Sequence, residues 1–420
     1  MLTLRHLPLR YRRPLTKLAL GLLARWRARG WRKAAPADVP VRGDLVVTGF
    51  FNEALGIGRA GRLTAEALRA AGYTVIEHDL RPAFRHIRDG RADLPGEGGV
   101  WLIHANAPEV MIAMLAHPAA QWNDRYRIGY WAWETARVPA SWLYIADYLH
   151  EIWVPSRFVH DALARSLRQK GREDLIVRIR MMPHLVPVPA QDPNWRHDAR
   201  ARFGLDPDLC EVLCLFDTKS SAVRKNPWGA LDAWQQAFPE PSTTARLTLK
   251  VVDLAGDRPT EQKLLAILAG RPDIRLVSER FDDQDMDAFI AAFDVLMSLH
   301  RSEGFGLTLA EAMAAGVAVI ATAGSGNDDF MTGEAARLVP SHPVRVHDPE
   351  GPYGDLAGDR EQTWGEPDIA AAAAALRELA GSRALRDAMA AHGPEAIRAL
   401  QAPWQDEALA VFPFNAWIRR

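Results

Sequence analysis

Two glutamates flank a glycine-rich turn in the stretch from Ser298 to Met331. Glu303 precedes the turn Gly304-Phe-Gly306, and Glu311 follows it, with seven residues between the two carboxylates. Glycines permit a tight turn, and the backbone N–H groups at the start of a helix attract phosphate. Carboxylates at such a place would repel the anion unless they bound something else, such as sugar hydroxyls. The stretch therefore predicts a site for a ligand that carries both phosphate and hydroxyl groups.

The elements that would position these residues are a strand, a helix and a second strand. Asp294–His300 is an apolar run of strand length, and the two glycines end it. Thr308–Ala315 contains good helix formers, and Gly316 stands where a glycine cap is expected. The turn therefore lies at the carboxyl end of a strand and opens a helix.

A second loop adds positive charge. The predicted strand Glu211–Phe216 is followed by a loop that contains Lys219, Arg224 and Lys225. A diphosphate at the end of a strand needs such cations. In contrast, Lys250 lies within a predicted strand, and we expect it to be exposed at the sheet edge rather than catalytic.

The pattern Glu-x7-Glu within SEGFGLTLAEAMAAG resembles the motif of retaining, nucleotide-sugar-dependent glycosyltransferases of family 4. The segments Tyr130–Glu134 and Trp153–Ser156 resemble those of bacterial members that assemble polysaccharides, lipopolysaccharides among them, by mannosyl transfer. The resemblance implies an α/β protein of the GT-B fold, in which two Rossmann-like domains face each other across a cleft. It also implies a saccharide acceptor, which we expect to be lipid-linked, and GDP-mannose is one candidate donor.

The resemblance implies a role for each motif residue. Glu303, with the amides of Gly304, Phe305, Gly306 and Leu307, would hold the sugar and its phosphate, and Glu311 would bind the ribose. Lys225, with Lys219 or Arg224, would neutralise the leaving diphosphate. The family has an arginine where Lys219 or Ser220 stands here, so the role of Arg224 stays open. The acceptor's proton would pass to the leaving phosphate, and neither a protein nucleophile, a cofactor nor a metal would be needed.

The loop Gly56-Ile-Gly58-Arg-Ala-Gly61 supports a rival hypothesis. It has the spacing of a dinucleotide fingerprint, with Glu77 and Asp79 beyond the next strand, which would make the protein an NAD(P)-dependent oxidoreductase. Several residues separate the preceding strand from Gly56, whereas the fingerprint needs glycine at the strand end. We therefore favour Gly56 and Gly58 as part of a loop that approaches the donor phosphate, as the resemblance implies. A GT-B phosphorylase and a non-catalytic sugar-binding protein are further alternatives.

Other candidate site residues lie in the first half of the chain. His104 is the last residue of the predicted strand Gly99–His104, where it would face a ligand at the sheet edge. The resemblance implies a catalytic histidine close to the donor sugar and the acceptor, and a buried structural histidine is the alternative. Trp131 and Trp133 could stack on sugar rings of the acceptor, with Glu134 holding hydroxyl groups. Trp153, in contrast, lies in a core strand.

The first 34 residues contain ten Lys or Arg residues and no acidic residue. Leu15, Leu18, Leu22 and Trp26 share one face of a helix, as in helices that lie in a membrane interface. We therefore expect residues 1–34 to contact an anionic membrane surface, which would place a cytoplasmic enzyme at the inner face of the membrane. The alternatives are a disordered basic arm and a helix packed on the protein itself.

Composition limits the remaining possibilities. The chain has 420 residues, of which 48% are hydrophobic. A chain of this length is too long for one ordinary core, so we expect at least two domains. The net charge of −1 gives no case for nucleic acid, and no apolar run could span a bilayer. The acidic run Phe281–Asp287 is expected to cap a helix, so we predict no metal site. The predicted organisation comprises a basic amphipathic segment at 1–36, an acceptor domain at 40–188, a donor domain at 198–394, and a C-terminal helix at 395–420 that crosses back to the first domain.

Overall fold

The computed structural model describes residues 9–35, 40–53, 56–189, 193–349, 351–356 and 359–419. The chain divides into two compact units, the first formed by Met1–Leu185 with Gln401–Arg420 and the second by Val186–Leu400. Each unit is built on a six-stranded sheet with helices connecting the strands. The predicted α/β class with two Rossmann-like halves is confirmed.

The sheet of the first unit has the order β2-β1-β3-β4-β5-β6, and all its strand pairs are parallel. Its central strands are buried along their whole length, as expected where helices cover both faces of a parallel sheet. The strands are β1 (Leu45–Gly49), β2 (Val75–Asp79), β3 (Val100–Ile103), β4 (Tyr126–Tyr130), β5 (Glu151–Val154) and β6 (Ile179–Met181). The helices are α1 (Leu9–Arg27), α2 (Gly56–Ala70), α3 (Leu80–Ala83), α4 (Ala107–Ala116), α5 (Leu143–Ala146) and α6 (Arg157–Gln169).

The sheet of the second unit has the order β12-β11-β10-β7-β8-β9 and is also parallel, and a two-stranded antiparallel hairpin follows it. The strands are β7 (Cys210–Asp217), β8 (Ala245–Val252), β9 (Ile274–Val277), β10 (Val295–Ser298), β11 (Ala318–Thr322), β12 (Arg337–Val339), and β13 (Ser341–Arg345) with β14 (Thr363–Pro367) in the hairpin. The helices are α7 (Pro193–Arg202), α8 (Ala222–Lys225), α9 (Pro227–Ala237), α10 (Arg258–Leu268), α11 (Asp283–Ala291), α12 (Leu307–Ala314), α13 (Ile369–Gly381) and α14 (Arg383–Leu400).

Each sheet has a point where the strand order reverses. It lies between β1 and β3 in the first unit and between β7 and β10 in the second. Ligands of open α/β sheets bind beyond the carboxyl ends of the strands at such points. The topology therefore directs attention to the loops that follow these four strands.

The C-terminal residues pack on the first unit. Beyond α14 the chain forms the short helix α15 (Asp406–Ala410) and places Trp404, Phe412 and Phe414 against Trp153 of β5, with ring centroids 5.9–6.1 Å apart. Trp153 is completely buried, which confirms its predicted place in the core. These aromatic contacts make Trp404, Phe412 and Phe414 part of the first unit's core.

The carboxyl end of the N-terminal segment is attached to the first unit. Arg27 donates from Nη1 to the carbonyl of Leu115 at 2.6 Å, and the buried Trp31 contacts Trp122 and Tyr148 edge-on. None of the helices in the described part of the chain is long and apolar enough to cross a membrane. Helix α1 is therefore held against the protein by its final turn and the residues that follow it.

Candidate active site

The loops after β7 and β10 meet at the reversal point of the second sheet. The side-chain amide of Asn226 donates to the carbonyl of Leu299 at 2.8 Å, and the backbone N–H of Arg301 donates to the carbonyl of Arg224 at 2.7 Å. These bonds directly join the loop after β7 that contains Lys219, Arg224 and Lys225, here called the basic loop, to the glycine-rich turn. The two are about 80 residues apart in the sequence. The predicted phosphate and sugar residues are thus brought together.

Glu303 lies between two cations of the basic loop. Arg224 Nη1 is 3.1 Å from Glu303 Oε1, and Lys225 Nζ donates to the same oxygen. Burial alone would raise the pKa of the Glu303 carboxyl, but the charges of Arg224 and Lys225 outweigh it and hold the pKa well below its ordinary value. Glu303 is therefore a carboxylate at any working pH.

The two cations differ in how accessible they are. The Arg224 side chain is 5% exposed and donates to the carbonyl of Ser302 at 2.8 Å, whereas the Lys225 side chain is 22% exposed. A ligand can therefore reach Lys225, while Arg224 supports the turn from behind. The side chain of Lys219 lies outside the part of the chain that the structure describes.

Unusual backbone geometry shapes the basic loop. Ser221 and Asn226, which flank helix α8, have φ angles of 72° and 50°. Such conformations cost about 1–3 kcal/mol for residues other than glycine and persist where side-chain bonds support them. Ser221 Oγ accepts from the N–H of Arg224 at 3.1 Å, and Asn226 Oδ1 accepts from the N–H of Gly229 at 3.2 Å. These bonds fix the direction in which Arg224 and Lys225 leave the backbone.

The glycine-rich turn opens helix α12. Gly306, the N-cap residue before the helix, has a φ of 92° and, being glycine, has no side chain with which to cap the helix start. The loop that follows β11, residues 323–330, passes close beneath the turn, because a Cβ atom on Gly326 would lie 2.3 Å from the carbonyl oxygen of Gly304. Phe305 is buried against Phe330, with ring centroids 5.2 Å apart, so it anchors the turn rather than facing a ligand. Glu311 lies in α12 with a partly exposed side chain.

Sequence reasoning missed His300, which links the two loops. Its ring donates from Nε2 to Asn327 Oδ1 at 3.2 Å, and its Nδ1 lies 3.0 Å from Ser298 Oγ. Ser325 Oγ accepts from the N–H of Glu303 at 3.2 Å. Burial lowers the pKa of His300 to about 4, so the ring is neutral. The signal was present, because His300 stands at the end of a strand, as His104 does.

His104 occupies the reversal point of the first sheet. It is 2% exposed, and neither ring nitrogen forms a hydrogen bond within the described residues. Its ring lies 4.3 Å from that of Tyr130 and 5.6 Å from that of His184, measured between centroids. Burial lowers the pKa of His104 to about 3, so it is a neutral imidazole with unused hydrogen-bonding capacity.

The loop with the dinucleotide spacing lies beside His104. A Cβ atom on Gly61 would be 3.8 Å from His104 Cγ, and one on Gly58 would be 2.4 Å from the carbonyl oxygen of Glu53. Helix α2 starts at Gly56, well beyond the end of β1 at Gly49. The glycine therefore does not follow the strand directly, which departs from the dinucleotide fingerprint.

Trp131 and Trp133 are not available for stacking on sugar rings, so this prediction is wrong. Trp131 and Trp133 are 1% and 8% exposed, and each contacts Trp142, at 5.7 and 4.7 Å between ring centroids. Trp133 Nε1 also donates to Thr135 Oγ1 at 2.7 Å. Their faces are covered by protein, so they belong to the core, while Glu134 keeps a partly exposed side chain.

Two smaller expectations have different outcomes. Lys250 is 1% exposed rather than on an open edge, and its ammonium group donates to the carbonyl of Glu279 and lies over the ring of Phe281 at 4.2 Å. Asp282 accepts from the N–H of Asp285 at 2.8 Å and so caps α11, as predicted. Within the described residues no group of three or more His, Cys, Asp or Glu side chains could hold a metal ion.

Comparison with known proteins supports a glycosyltransferase of the GT-B type. Residues 223–347 match the model of the family Glycosyl transferases group 1, and no curated protein matches the sequence. The match includes Arg224, Lys225, Glu303 and Glu311 but begins after Lys219.

Solved structures share the fold at low sequence identity. HepE of Anabaena, solved with UDP and glucose, is 12% identical over 88% of this chain and 100% of its own, with a TM-score of 0.61. WaaG, a glycosyltransferase involved in lipopolysaccharide biosynthesis, is 15% identical over 88% and 100%, with a TM-score of 0.56. TarM of S. aureus, solved as a mutant with fondaparinux, α-GlcNAc-glycerol and UDP, is 11% identical with a TM-score of 0.53; the match covers 76% of this chain but only 55% of TarM. The likeness shows the GT-B fold.

Proposed function

We propose that this glycosyltransferase of the GT-B type transfers a sugar, with retention, from a nucleotide sugar held by the second unit to a saccharide acceptor. The single observation that carries the proposal is the contact of Lys225 and Arg224 with Glu303 beside the start of α12. Cations, a fixed carboxylate and a helix N-terminus at one sheet edge suit a ligand with a diphosphate and a sugar.

Lys225 and the start of α12 act on the leaving group. Negative charge develops on the diphosphate as the glycosidic bond breaks, and a cation already in place stabilises that charge most. Lys225 is the exposed cation, and Arg224 keeps the turn and Glu303 in position. We assign Lys219, in the same loop, to the same diphosphate.

The two glutamates bind different parts of the donor. Glu303 stays ionised because its pKa is depressed, so it accepts hydrogen bonds from hydroxyls of the transferred sugar. Glu311, partly exposed in α12, accepts from the ribose. The diphosphate oxygen takes the acceptor's proton on the same face, so retention requires neither a protein nucleophile nor a metal.

The first unit contributes His104. A buried neutral ring whose two nitrogens form no hydrogen bond with the described residues can donate to or accept from one hydroxyl without a change of charge. We assign it to a hydroxyl of the sugar or the acceptor, with Gly56 and Gly58 forming the adjacent loop and Glu134 contacting the acceptor.

Helix α1 supports a location at the membrane. Leu18, Leu22 and Trp26 lie on one face of the helix and are 61%, 58% and 63% exposed, although Ala24 on another face is fully buried. Each basic residue near an anionic surface contributes about 1 kcal/mol, and the segment is rich in them. We infer that this face inserts into an anionic membrane interface, where a lipid-linked saccharide acceptor would be found.

Thermal stabilisation by a nucleotide-sugar panel tests the proposal. The panel includes UDP-glucose, because HepE was solved with UDP and glucose, and GDP-mannose. At a ligand concentration of 100 Kd the stabilisation is about 2.7 kcal/mol, which is easily measured. A shift with NAD(H) and with no nucleotide sugar would favour the oxidoreductase instead.

A further inference from the structure

Arg301 connects the glycine-rich turn to the basic loop through both its backbone and its side chain. Its N–H donates to the carbonyl of Arg224 at 2.7 Å, and its Nη1 donates to the carbonyl of Val223 at 2.5 Å. Arg301 stands two residues before Glu303, and the two carbonyls stand directly before Lys225. One residue therefore holds the main chain that carries Lys225 against the main chain that carries Glu303.

The guanidinium group is itself held in place by the hairpin. Glu366 of β14 accepts from Nε and, at 2.8 Å, from Nη2, while the N–H of Gly365 donates to the carbonyl of Arg301 at 2.7 Å. The two side chains are 19% and 29% exposed. A two-bond contact between guanidinium and carboxylate fixes direction as well as distance, and lysine cannot reproduce it.

We propose that Arg301 is a positioning residue for Lys225, with Glu366 orienting it. The inference rests on the proposed function, since the cation that it positions is the one assigned to the leaving diphosphate. Arg301 need not touch the donor. It sets where the ammonium group lies relative to the turn, and an error of about 1 Å in such a position can cost on the order of 100-fold in rate.

The primary test compares Arg301→Met with a matched surface variant. Arg337→Met breaks an ion pair with Glu378, 3.4 Å long, in the same unit. We expect Arg301→Met to lower kcat by about 10- to 100-fold with a smaller change in the donor KM, because the leaving-group charge develops in the transition state. Arg301→Lys should recover only part of this loss, and Arg337→Met should stay within about twofold.

A double-mutant cycle with Lys225→Ala separates positioning from a merely structural role. If Arg301 acts through Lys225, the fold-decrease in kcat caused by Arg301→Met should be at least about fivefold smaller in the Lys225→Ala background than in the wild-type background. An equal factor in both backgrounds would overturn the inference. Glu366→Gln, which leaves Arg301 intact, repeats the cycle if Arg301→Met does not fold. Wild-type protein that neither binds nor uses any nucleotide sugar would overturn the proposed function itself.

Discussion

Arg224 Nη1 lies 3.1 Å from Glu303 Oε1, and both side chains are almost completely removed from solvent. Because a buried charge that loses its partner is costly, breaking such a pair destabilises a protein by about 3–5 kcal/mol. The contact therefore holds the basic loop against the glycine-rich turn.

Replacing Arg224 should accordingly harm stability more than any surface arginine. Because Lys225 still pairs with Glu303, we expect Arg224→Met to lower the free energy of unfolding of the second unit by about 1.5–3 kcal/mol, the contribution of a hydrogen bond to a charged group, measured by urea denaturation. Arg337→Met, at the surface, serves as the control and should change it by less than about 1 kcal/mol. Similar midpoints for the two variants would show that the buried pair does not stabilise the turn.

Glu303→Gln keeps the size of the side chain but removes its charge. If Glu303 contacts the reacting sugar, donor binding should persist while turnover falls by about 100-fold, as for an interaction that strengthens in the transition state. Steady-state kinetics with the donor found in the panel, together with calorimetry, measure both quantities. Full turnover by this variant would refute the assignment.

Glu311→Ala provides the contrast. A ribose contact is the same in the ground and transition states, so its loss should raise the donor KM about tenfold and leave kcat within about threefold. A fall in kcat with unchanged KM would instead place Glu311 near the reacting centre.

His104, in the first unit, should make the stability of the protein depend on pH. The pKa of His104 is about 3 in the folded protein, against about 6.5 when exposed. Between pH 6.5 and pH 3 the imidazole of His104 is protonated in the unfolded chain but not in the folded protein. Its contribution to stability is therefore complete above pH 6.5 and is lost as the pH falls towards 3. His104→Gln should reduce the slope of unfolding free energy against pH, between pH 6 and 4, by up to about 1.4 kcal/mol per unit. Parallel slopes for variant and wild type would contradict the buried neutral state.

The fold class, and the meeting of the basic loop with the glycine-rich turn, could be predicted because they depend on local patterns. Apolar runs, glycine breaks and the charges of Lys225 and Glu303 are visible in the chain, and parallel strands bring their carboxyl ends to one edge. The burial of Trp131 and of Lys250 could not be predicted in this way. An aromatic or an amphipathic side chain beside a strand fits both an exposed platform and a core, and only the packing of distant residues such as Trp142 and Phe281 decides.

Long-range connections were also beyond the sequence. Nothing local indicates that Arg301 meets Glu366, or that the guanidinium group of Arg127, fully buried, donates to the carbonyl of Arg32 at 3.1 Å. The second bond joins the residues after α1 to the first unit. It changes how the membrane hypothesis should be tested, because deleting residues 1–34 would also remove Trp31 from the core.

Substitution is therefore the better test of membrane contact. We expect Leu22→Glu with Trp26→Glu to abolish sedimentation with vesicles that contain anionic lipid, while activity on a soluble acceptor is retained, since both side chains are exposed. Val177→Glu, at an exposed apolar position elsewhere in the first unit, is the control. Equal sedimentation of wild type, double variant and control would exclude α1 as the membrane contact. Vesicle binding that does not change with the content of anionic lipid or with the salt concentration would exclude it as well.

The most direct test of the donor site is calorimetric titration of UDP and GDP into wild-type protein and into Lys225→Ala. If the donor site lies at the reversal point of the second sheet, wild type should bind UDP or GDP at one site per chain. Lys225→Ala should bind the same nucleotide at least about tenfold more weakly, because a charge-assisted hydrogen bond to phosphate contributes about 1.5–3 kcal/mol. Equal affinity of the two proteins, or no binding of either nucleotide by wild type, would contradict the account.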